Sequence, residues 1–395
     1  MSNIFHAYDI RGIYPDEINE EIVFKIAAGL VKFLNPDKLI VAQDSRGSSE
    51  SLKESAISAI IASGVDVIDI GVATTPLFYF AVNKLGAAGG IMVTASHNPP
   101  NYNGLKLVRE EAIVIGEQNG LMQIKKLSEN IEIQGIRKGQ IINENLEEGY
   151  EKFILKKSGF EKEPEIKDVR FEYDSDSDRI LVYERNKKIR ADLLSGIVIK
   201  DFLSKSRSKV FNLLRGKPKF IYDLRFTKAI PEFIKENGGE AIRSRVGHVF
   251  IKEAMRENKA VFGAELSGHF YFKDVFYVEA PILMKLKLFK IMNETGKPLA
   301  ELIKPFEKYF HSEEISVAIK NTELGKDIIQ KIKGSYKDGK IDELDGITIE
   351  YSDWWFNLRS SNTEPVMRLV VEAKTQYIME QKVKEITDLI RQFSA

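Results

Sequence analysis

Four short segments bring together residue types whose spacing suits chemistry. The first is Thr94-Ala95-Ser96-His97-Asn98-Pro99-Pro100-Asn101-Tyr102-Asn103-Gly104-Leu105-Lys106, which follows directly on an apolar run at 89–94. If that run is a strand, Ser96 stands at its carboxyl end, where α/β sheets place their sites. Lys106 then supplies a cation close to the serine hydroxyl. A polar turn with a capping serine is the ordinary alternative, and the length of the motif argues against it. The second segment is Asp174-Ser175-Asp176-Ser177-Asp178-Arg179. Three alternate carboxylates repel one another unless a cation neutralises them, and small residues between them let their oxygens converge on a hard divalent metal. An EF-hand loop begins the same way, but here position six is Arg179 instead of Gly and position twelve is Arg185 instead of Glu. A solvated acidic turn stays open as an alternative.

The third segment, Gly263-Ala264-Glu265-Leu266-Ser267-Gly268-His269, frames a carboxylate and a hydroxyl with glycines. A carboxylate accepts well from sugar hydroxyls, although Glu265 also suits an ordinary turn. The fourth, Arg359-Ser360-Ser361-Asn362-Thr363-Glu364-Pro365, offers a guanidinium, hydroxyls, an amide and clustered N–H groups, the parts of a phosphate cradle or of a capping turn. Smaller signals are Tyr8-Asp9-Ile10-Arg11-Gly12, Asp44-Ser45-Arg46 and Val246-Gly247-His248. Arg11 and Arg46 also fit surface ion pairs, and His248 fits a helix cap.

The elements that must position these loops are those of an ordinary globular chain. It has 395 residues, 43% hydrophobic and 29% charged, with 58 basic and 58 acidic side chains. Zero net charge removes the main argument for nucleic acid or an anionic membrane as partner. The absence of cysteine excludes disulfides, thiolate metal sites and cysteine nucleophiles. The start of the chain shows no basic stretch leading into a long apolar core, so no signal peptide is expected. No apolar run approaches the roughly 20 residues that span a bilayer. The first 110 residues alternate strand-like runs (38–43, 65–70, 89–94) with helical periodicity at Ile22, Val23, Ile26, Ala27 and Leu30 and again after a capping Ser49. This pattern predicts a mostly parallel sheet covered by helices. A second alternation, with strands at 219–222 and 241–243 and helices at 192–204, 227–236, 249–255 and 280–292, predicts another α/β unit. Strands at 313–319, 346–351, 354–358 and 366–373 with helices near 323–333 and 376–393 predict an α+β end. The boundaries fall as 1–145, 146–188, 189–310 and 311–395.

In order and in content, these segments resemble the α-D-phosphohexomutase superfamily, most closely its phosphomannomutase/phosphoglucomutase group. The resemblance spans nearly the whole chain. It implies a heart-shaped arrangement of α/β domains, the second truncated here, closed by a mobile α+β lid. By motif, Ser96 would be the phosphorylated serine, and Asp174, Asp176 and Asp178 would hold Mg²⁺ together with its phosphate. Arg179 would sit beside that phosphate, and Lys106 and His248 would serve as acid/base or charge-stabilising groups. Glu265, Ser267 and His269 would meet the sugar. Arg359, Ser361, Asn362 and Thr363 would grip the non-transferring phosphate, and Tyr8 and Arg11 would line the cleft.

The implied activity is an Mg²⁺-dependent interconversion of hexose 1- and 6-phosphates, mannose and glucose first, through a hexose 1,6-bisphosphate that also serves as activator. Phosphoglucosamine mutase is one alternative, against which Asn362 argues. A non-catalytic sugar-phosphate-binding paralogue is another, and a phosphatase using Ser96 a third. The expected setting is the cytoplasm, with a sugar phosphate as partner, no nucleic acid or membrane, and a homodimer as the assembly to test. The chain departs from the family pattern in places. Only 69 residues separate Gly104 from Asp174, Ser175 and Ser177 stand where small residues or glycine are usual, Arg225 stands where some relatives have Lys, and Val278-Glu279-Ala280-Pro281 replaces a frequent Asp-Gly. If the loop needs positive φ there, the serines are mildly strained.

Overall fold

The computed structural model describes residues 4–129, 138–165, 167–205, 216–361 and 364–394. They gather into two compact units, 1–186 with 269–290 and 187–268 with 291–395. Among the described residues no helix is long and apolar enough to cross a membrane.

In the first unit, β1 (Ile10–Ile13), α1 (Glu20–Leu34), β2 (Lys38–Gln43), α2 (Ser49–Ala62), β3 (Asp66–Val72), α3 (Thr75–Lys84), β4 (Gly89–Val93) and β5 (Tyr102–Arg109) are followed by α4 (Leu121–Glu129) and β6 (Ile141–Asn143). The main sheet runs β1-β5-β4-β2-β3-β6. β4, β2, β3 and β6 are parallel, as crossover helices require. β5 is antiparallel to both β4 and β1. The sequence reading missed this strand, because its residues present themselves as a polar motif before they present themselves as a strand.

α1 forms because Asn19 accepts from the Ile22 N–H at one end and Asn35 turns left-handed at the other. Its Val23, Ile26 and Leu30 pack on Leu39, Val41, Ile91, Val93, Leu105 and Leu107 of the sheet. Each such buried side chain stabilises by about 1.5–3 kcal/mol. Gly104 is required by close approach: a Cβ there would lie 2.1 Å from the Ile10 carbonyl oxygen across the β1–β5 pair. One expectation is corrected. Ser49 does not cap α2; it lies inside the first turn, fully buried, and donates its hydroxyl to Asp44. The pull of a carboxylate at the end of β2 outweighs the capping role.

The rest of this unit is slight. Residues 147–184 hold one helix, α5 (Glu147–Ser158), and one hairpin, β7 (Val169–Tyr173) with β8 (Ile180–Glu184). The acidic loop is the tip of that hairpin. The short strands Phe270–Phe272 and Val278–Glu279 pair antiparallel nearby in the chain.

In the second unit, α6 (Ala191–Lys205) precedes β9 (Lys219–Asp223), α7 (Ala229–Glu236), β10 (Glu240–Ser244), α8 (His248–Asn258) and β11 (Phe262–Ala264). β9 pairs in parallel with both β10 and β11. The C-terminal part is an antiparallel sheet of β12 (Ile315–Ala318), β13 (Ile347–Glu350), β14 (Trp354–Ser360) and β15 (Val366–Ala373), in the order β12-β15-β14-β13. α9, the helix Pro281–Thr295, enters this unit at its end, and α10 (Leu324–Ser335) and α11 (Gln376–Ser394) cover the sheet through Ile328, Ile332, Ile386 and Ile390.

Candidate functional site

Ser96 stands just beyond the carboxyl end of β4, as the spacing predicts. It is 2% exposed, with φ of 51°. A non-glycine residue in that region costs roughly 1 kcal/mol or more, so the loop must be held by other bonds. Ser96 N–H donates to Thr94 Oγ1 (2.9 Å), and Thr94 Oγ1 donates to Asp44 (2.7 Å). Asp44 also pairs with Arg46, 3.1 Å away. The Arg46 guanidinium then donates to the carbonyls of Ser96, Asn98 (2.7 Å), Pro99 (2.8 Å) and Tyr102 (3.1 Å). Arg11 holds the same loop from β1, donating to Asn98 Oδ1 (2.6 Å) and the Ala95 carbonyl (3.3 Å) while Asp9 accepts from it.

The acidic loop faces this serine loop. Ser175 Oγ donates to the Ser96 carbonyl. Lys106, on β5, places its ammonium 2.6 Å from an oxygen of Asp176 and 2.6 Å from one of Asp178. Thr75 Oγ1 donates to Asp176 (2.7 Å). Arg179 donates its backbone N–H to Asp174 Oδ1 (3.1 Å), and its Nε to His269 Nε2 (3.2 Å), which itself lies 3.2 Å from Asp178 Oδ1. His269 therefore stands against the acidic loop. Ser177 adopts a φ of 54°, the mild strain expected at this position, whereas Ser175 is not among the positive-φ residues.

The charges set the titration. Burial pushes the Asp174 carboxyl up to about 7, helped by the charges of Asp178 and Asp176. Burial also works to raise Asp178, but Lys106 and then His269 override it and hold it well below the usual carboxylate range. Burial works against the Lys106 ammonium, yet Asp176 and Asp178 keep it protonated well past its ordinary value. Burial, with Arg179 and Arg11 nearby, brings His97 down to about 4. The ligand atoms of Asp174, Asp176 and Asp178 all lie within 4.8 Å of one another. Asp174 Oδ2 and Asp176 Oδ1 are buried with no hydrogen-bond donor. Oxygen-only donors, excess negative charge and unmet acceptors fit a hard divalent cation.

The second unit places the other candidates. Glu265, 2% exposed, accepts from the Gly247 N–H (2.9 Å), which ties the 263–269 loop to the residue preceding His248 at the start of α8. Ser267 is half-buried on the same loop. Arg359, near the end of β14, donates to Glu314 (2.8 Å). Ser361 Oγ accepts from the Glu364 N–H (3.3 Å). Asn362 and Thr363 lie outside the described residues. Tyr8, in the first unit, is half-buried just before β1.

The structure thus brings Ser96, Lys106, Asp174, Asp176, Asp178, Arg179, Arg11 and His269 together in one unit. Glu265, Ser267, His248, Arg359 and Ser361 belong to the other. Sequence reasoning missed Thr75, Asp223 and Glu314. It ranked Arg46 as a minor signal, although a charged pair just after a β-strand end in Asp44-Ser45-Arg46 was there to be read.

Three family models match the chain: phosphoglucomutase/phosphomannomutase α/β/α domain I over residues 2–134, α/β/α domain III over 192–309, and the C-terminal domain over 314–389. A phosphomannomutase of Methanocaldococcus jannaschii is 35% identical, covering 99% of this chain and 98% of its own. A phosphomannomutase of Escherichia coli is 32% identical, over 98% and 99%. A crystal structure of a phosphoglucomutase/phosphomannomutase family protein from Burkholderia thailandensis superposes with a TM-score of 0.81 at 25% identity, covering 99% of this chain and 96% of that one. The first alignment runs over 463 positions against 395 residues, so at least 68 of its positions have no residue here.

Proposed function

Because the chain belongs to the phosphoglucomutase/phosphomannomutase family and is an intramolecular phosphotransferase, we propose that it interconverts hexose 1- and hexose 6-phosphates, mannose and glucose phosphates foremost, through a phosphoserine at Ser96. The observation that carries this reading is the convergence of a buried, left-handed serine with Lys106 and three aspartates whose oxygens are only partly satisfied.

In this reading phosphoserine 96 gives its phosphoryl group to the free hydroxyl of the sugar phosphate. The bond between phosphorus and Ser96 Oγ breaks, a bond to the sugar oxygen forms, and the proton of the sugar hydroxyl ends on Ser96. The hexose 1,6-bisphosphate so formed turns over. Its other phosphoryl group then returns to Ser96 by the same exchange, leaving the isomeric monophosphate. Such transfer needs positioning and charge neutralisation and little else from the protein. Lys106, held as an ammonium, neutralises phosphoryl oxygens, and Arg179 does so from the other side of the acidic loop. Arg11 and Arg46 hold the serine in place. Asp174, Asp176 and Asp178 would hold Mg²⁺, whose chemistry here is electrostatic relief of the phosphoryl charge. Glu265 and Ser267 meet sugar hydroxyls, Arg359 with Ser361, Asn362 and Thr363 takes the phosphate that stays, and His248 serves proton transfer. We keep 1–145, 146–188, 189–310 and 311–395 as the functional parts, and place the enzyme in the cytoplasm, where sugar phosphates are made.

The test is isomerisation of mannose, glucose and glucosamine 1-phosphates with Mg²⁺ and a trace of hexose 1,6-bisphosphate. Activity with the first two that falls by at least about a thousandfold in Ser96→Ala supports the reading. Preference for glucosamine 1-phosphate would move the chain to that branch. Bound sugar phosphate without turnover would leave a binding protein, and release of inorganic phosphate a phosphatase.

A further inference from the structure

Arg225, which stands where some relatives have Lys, and Glu314, which lies on no motif, form the middle of a continuous chain of hydrogen bonds in the second unit. Glu265 Oε1 accepts from the Gly247 N–H, and the next residue, Leu266, donates its N–H to Asp223 Oδ2 (2.8 Å). Asp223 in turn accepts from the Arg225 backbone N–H (2.7 Å), from Nε (3.1 Å) and from Nη2 (2.6 Å). The remaining arm, Nη1, donates to Glu314 Oε2 (3.0 Å). The same oxygen accepts from Arg359 Nη2 (2.8 Å). Asp223 is fully buried and Arg225 is 5% exposed. Burial works to raise the Glu314 carboxyl, but the charges of Arg225 and Arg359 outweigh it and hold it at about 2, so Glu314 stays a carboxylate at neutral pH.

We propose that Arg225 and Glu314 are positioning residues that keep the sugar loop at 263–267 in register with Arg359, so that one substrate is gripped at both ends at a fixed spacing. This rests on the reading of Glu265 and Arg359 as sugar and phosphate contacts. The choice of arginine follows from geometry. Its planar fork serves Asp223 with Nε and Nη2 while Nη1 reaches Glu314, whereas a lysine ammonium is a single point that cannot span both with the same directions. Glu314 is the joint through which the sheet strand bearing Arg359 is tied to the end of β9.

Steady-state kinetics on the full chain test the idea with Glu314→Gln, Arg225→Lys and the double variant. The readouts are KM for the hexose 1-phosphate that the unaltered enzyme turns over and the competitive Ki of inorganic phosphate. Inorganic phosphate needs only the Arg359 end, whereas the substrate needs both. Each single variant is expected to raise KM about tenfold, equivalent to one charged contact, with Ki moving less than about threefold. The double variant should be no worse than the poorer single one, because both break the same ladder. Thermal unfolding confirms that each variant is folded, and either single variant carries the comparison if the other fails to fold. KM and Ki shifting in parallel, an unchanged KM, or single effects that multiply in the double variant would overturn the proposal. An unaltered enzyme with no isomerase activity, or Ser96→Ala that keeps it, would instead overturn the functional reading beneath it.

Discussion

The acidic loop of the first unit and the Arg359 strand of the second are both built from buried ion pairs, yet they end with opposite remainders. At the acidic loop the Lys106 ammonium meets two of the three carboxylates, Arg179 stands 3.6 Å from the third, and two carboxylate oxygens are left without a hydrogen-bond donor. At the strand, two carboxylates, Asp223 and Glu314, are matched by two guanidiniums, and it is the donor side that is left over: Arg359 Nε is buried without an acceptor. Burying a charge is costly unless it is paired. The first remainder suits a cation and the second an anion, as the proposed roles of the two places require.

Removing the counter-ion of the acidic loop should give the largest effect on stability. Lys106→Met removes the one cation in direct contact with both Asp176 and Asp178, leaving Arg11, Arg179 and His269 nearby, and should cost about 3 kcal/mol in urea unfolding without metal. Mg²⁺ should restore more stability to this variant than to the unaltered protein. A variant as stable as the parent in the absence of metal would mean that the loop carries no excess of negative charge, and the contrast would collapse.

A medium effect is expected on the cationic side. His311 Nε2 donates to the Arg225 carbonyl at 2.8 Å, and its Nδ1 accepts from the Glu313 N–H at 2.9 Å. Burial, then the charge of Arg190, brings it down to about 4 despite Asp192. A depressed histidine contributes stability that is fully present above its unfolded value near 6.5 and is lost as pH falls through about 4. His311→Gln should flatten the loss of stability between those pH values. An unchanged pH profile in the variant would show that burial and the Arg190 charge do not hold this ring neutral. The smallest effect sharpens the acidic loop itself. Ser177→Gly relieves a φ of 54°, and should change the unfolding midpoint by an amount equivalent to less than about 1 kcal/mol, in the stabilising direction. A destabilised glycine variant would show that the serine side chain, and not the backbone, is what that position needs.

The loops were legible in the sequence because their chemistry is local. Three alternate aspartates, or a serine following an apolar run and preceding two prolines, state their geometry within a dozen residues. The helices of the first unit were legible through the spacing of Val23, Ile26 and Leu30. What could not be read was long-range pairing. β5 looks polar along Tyr102-Asn103-Gly104 because its glycine and asparagine serve contacts with β1 and α2 that lie far away in sequence. Ser49 reads as a cap only until Asp44 is seen beside it. Glu314 sits in a run of Ser312-Glu313-Glu314 with nothing to separate it from its neighbour; only the fold brings two guanidiniums to one of the two.

Arg46 addresses backbone carbonyls of Ser96, Asn98, Pro99 and Tyr102, not side chains. The path of the serine loop is thus written largely in a residue some fifty positions away. Such a loop is a template with separable lettering: the side chains of His97, Pro100 and Asn101 take no part in the arginine's bonds, so what the serine meets and the curve it lies on are set by different residues.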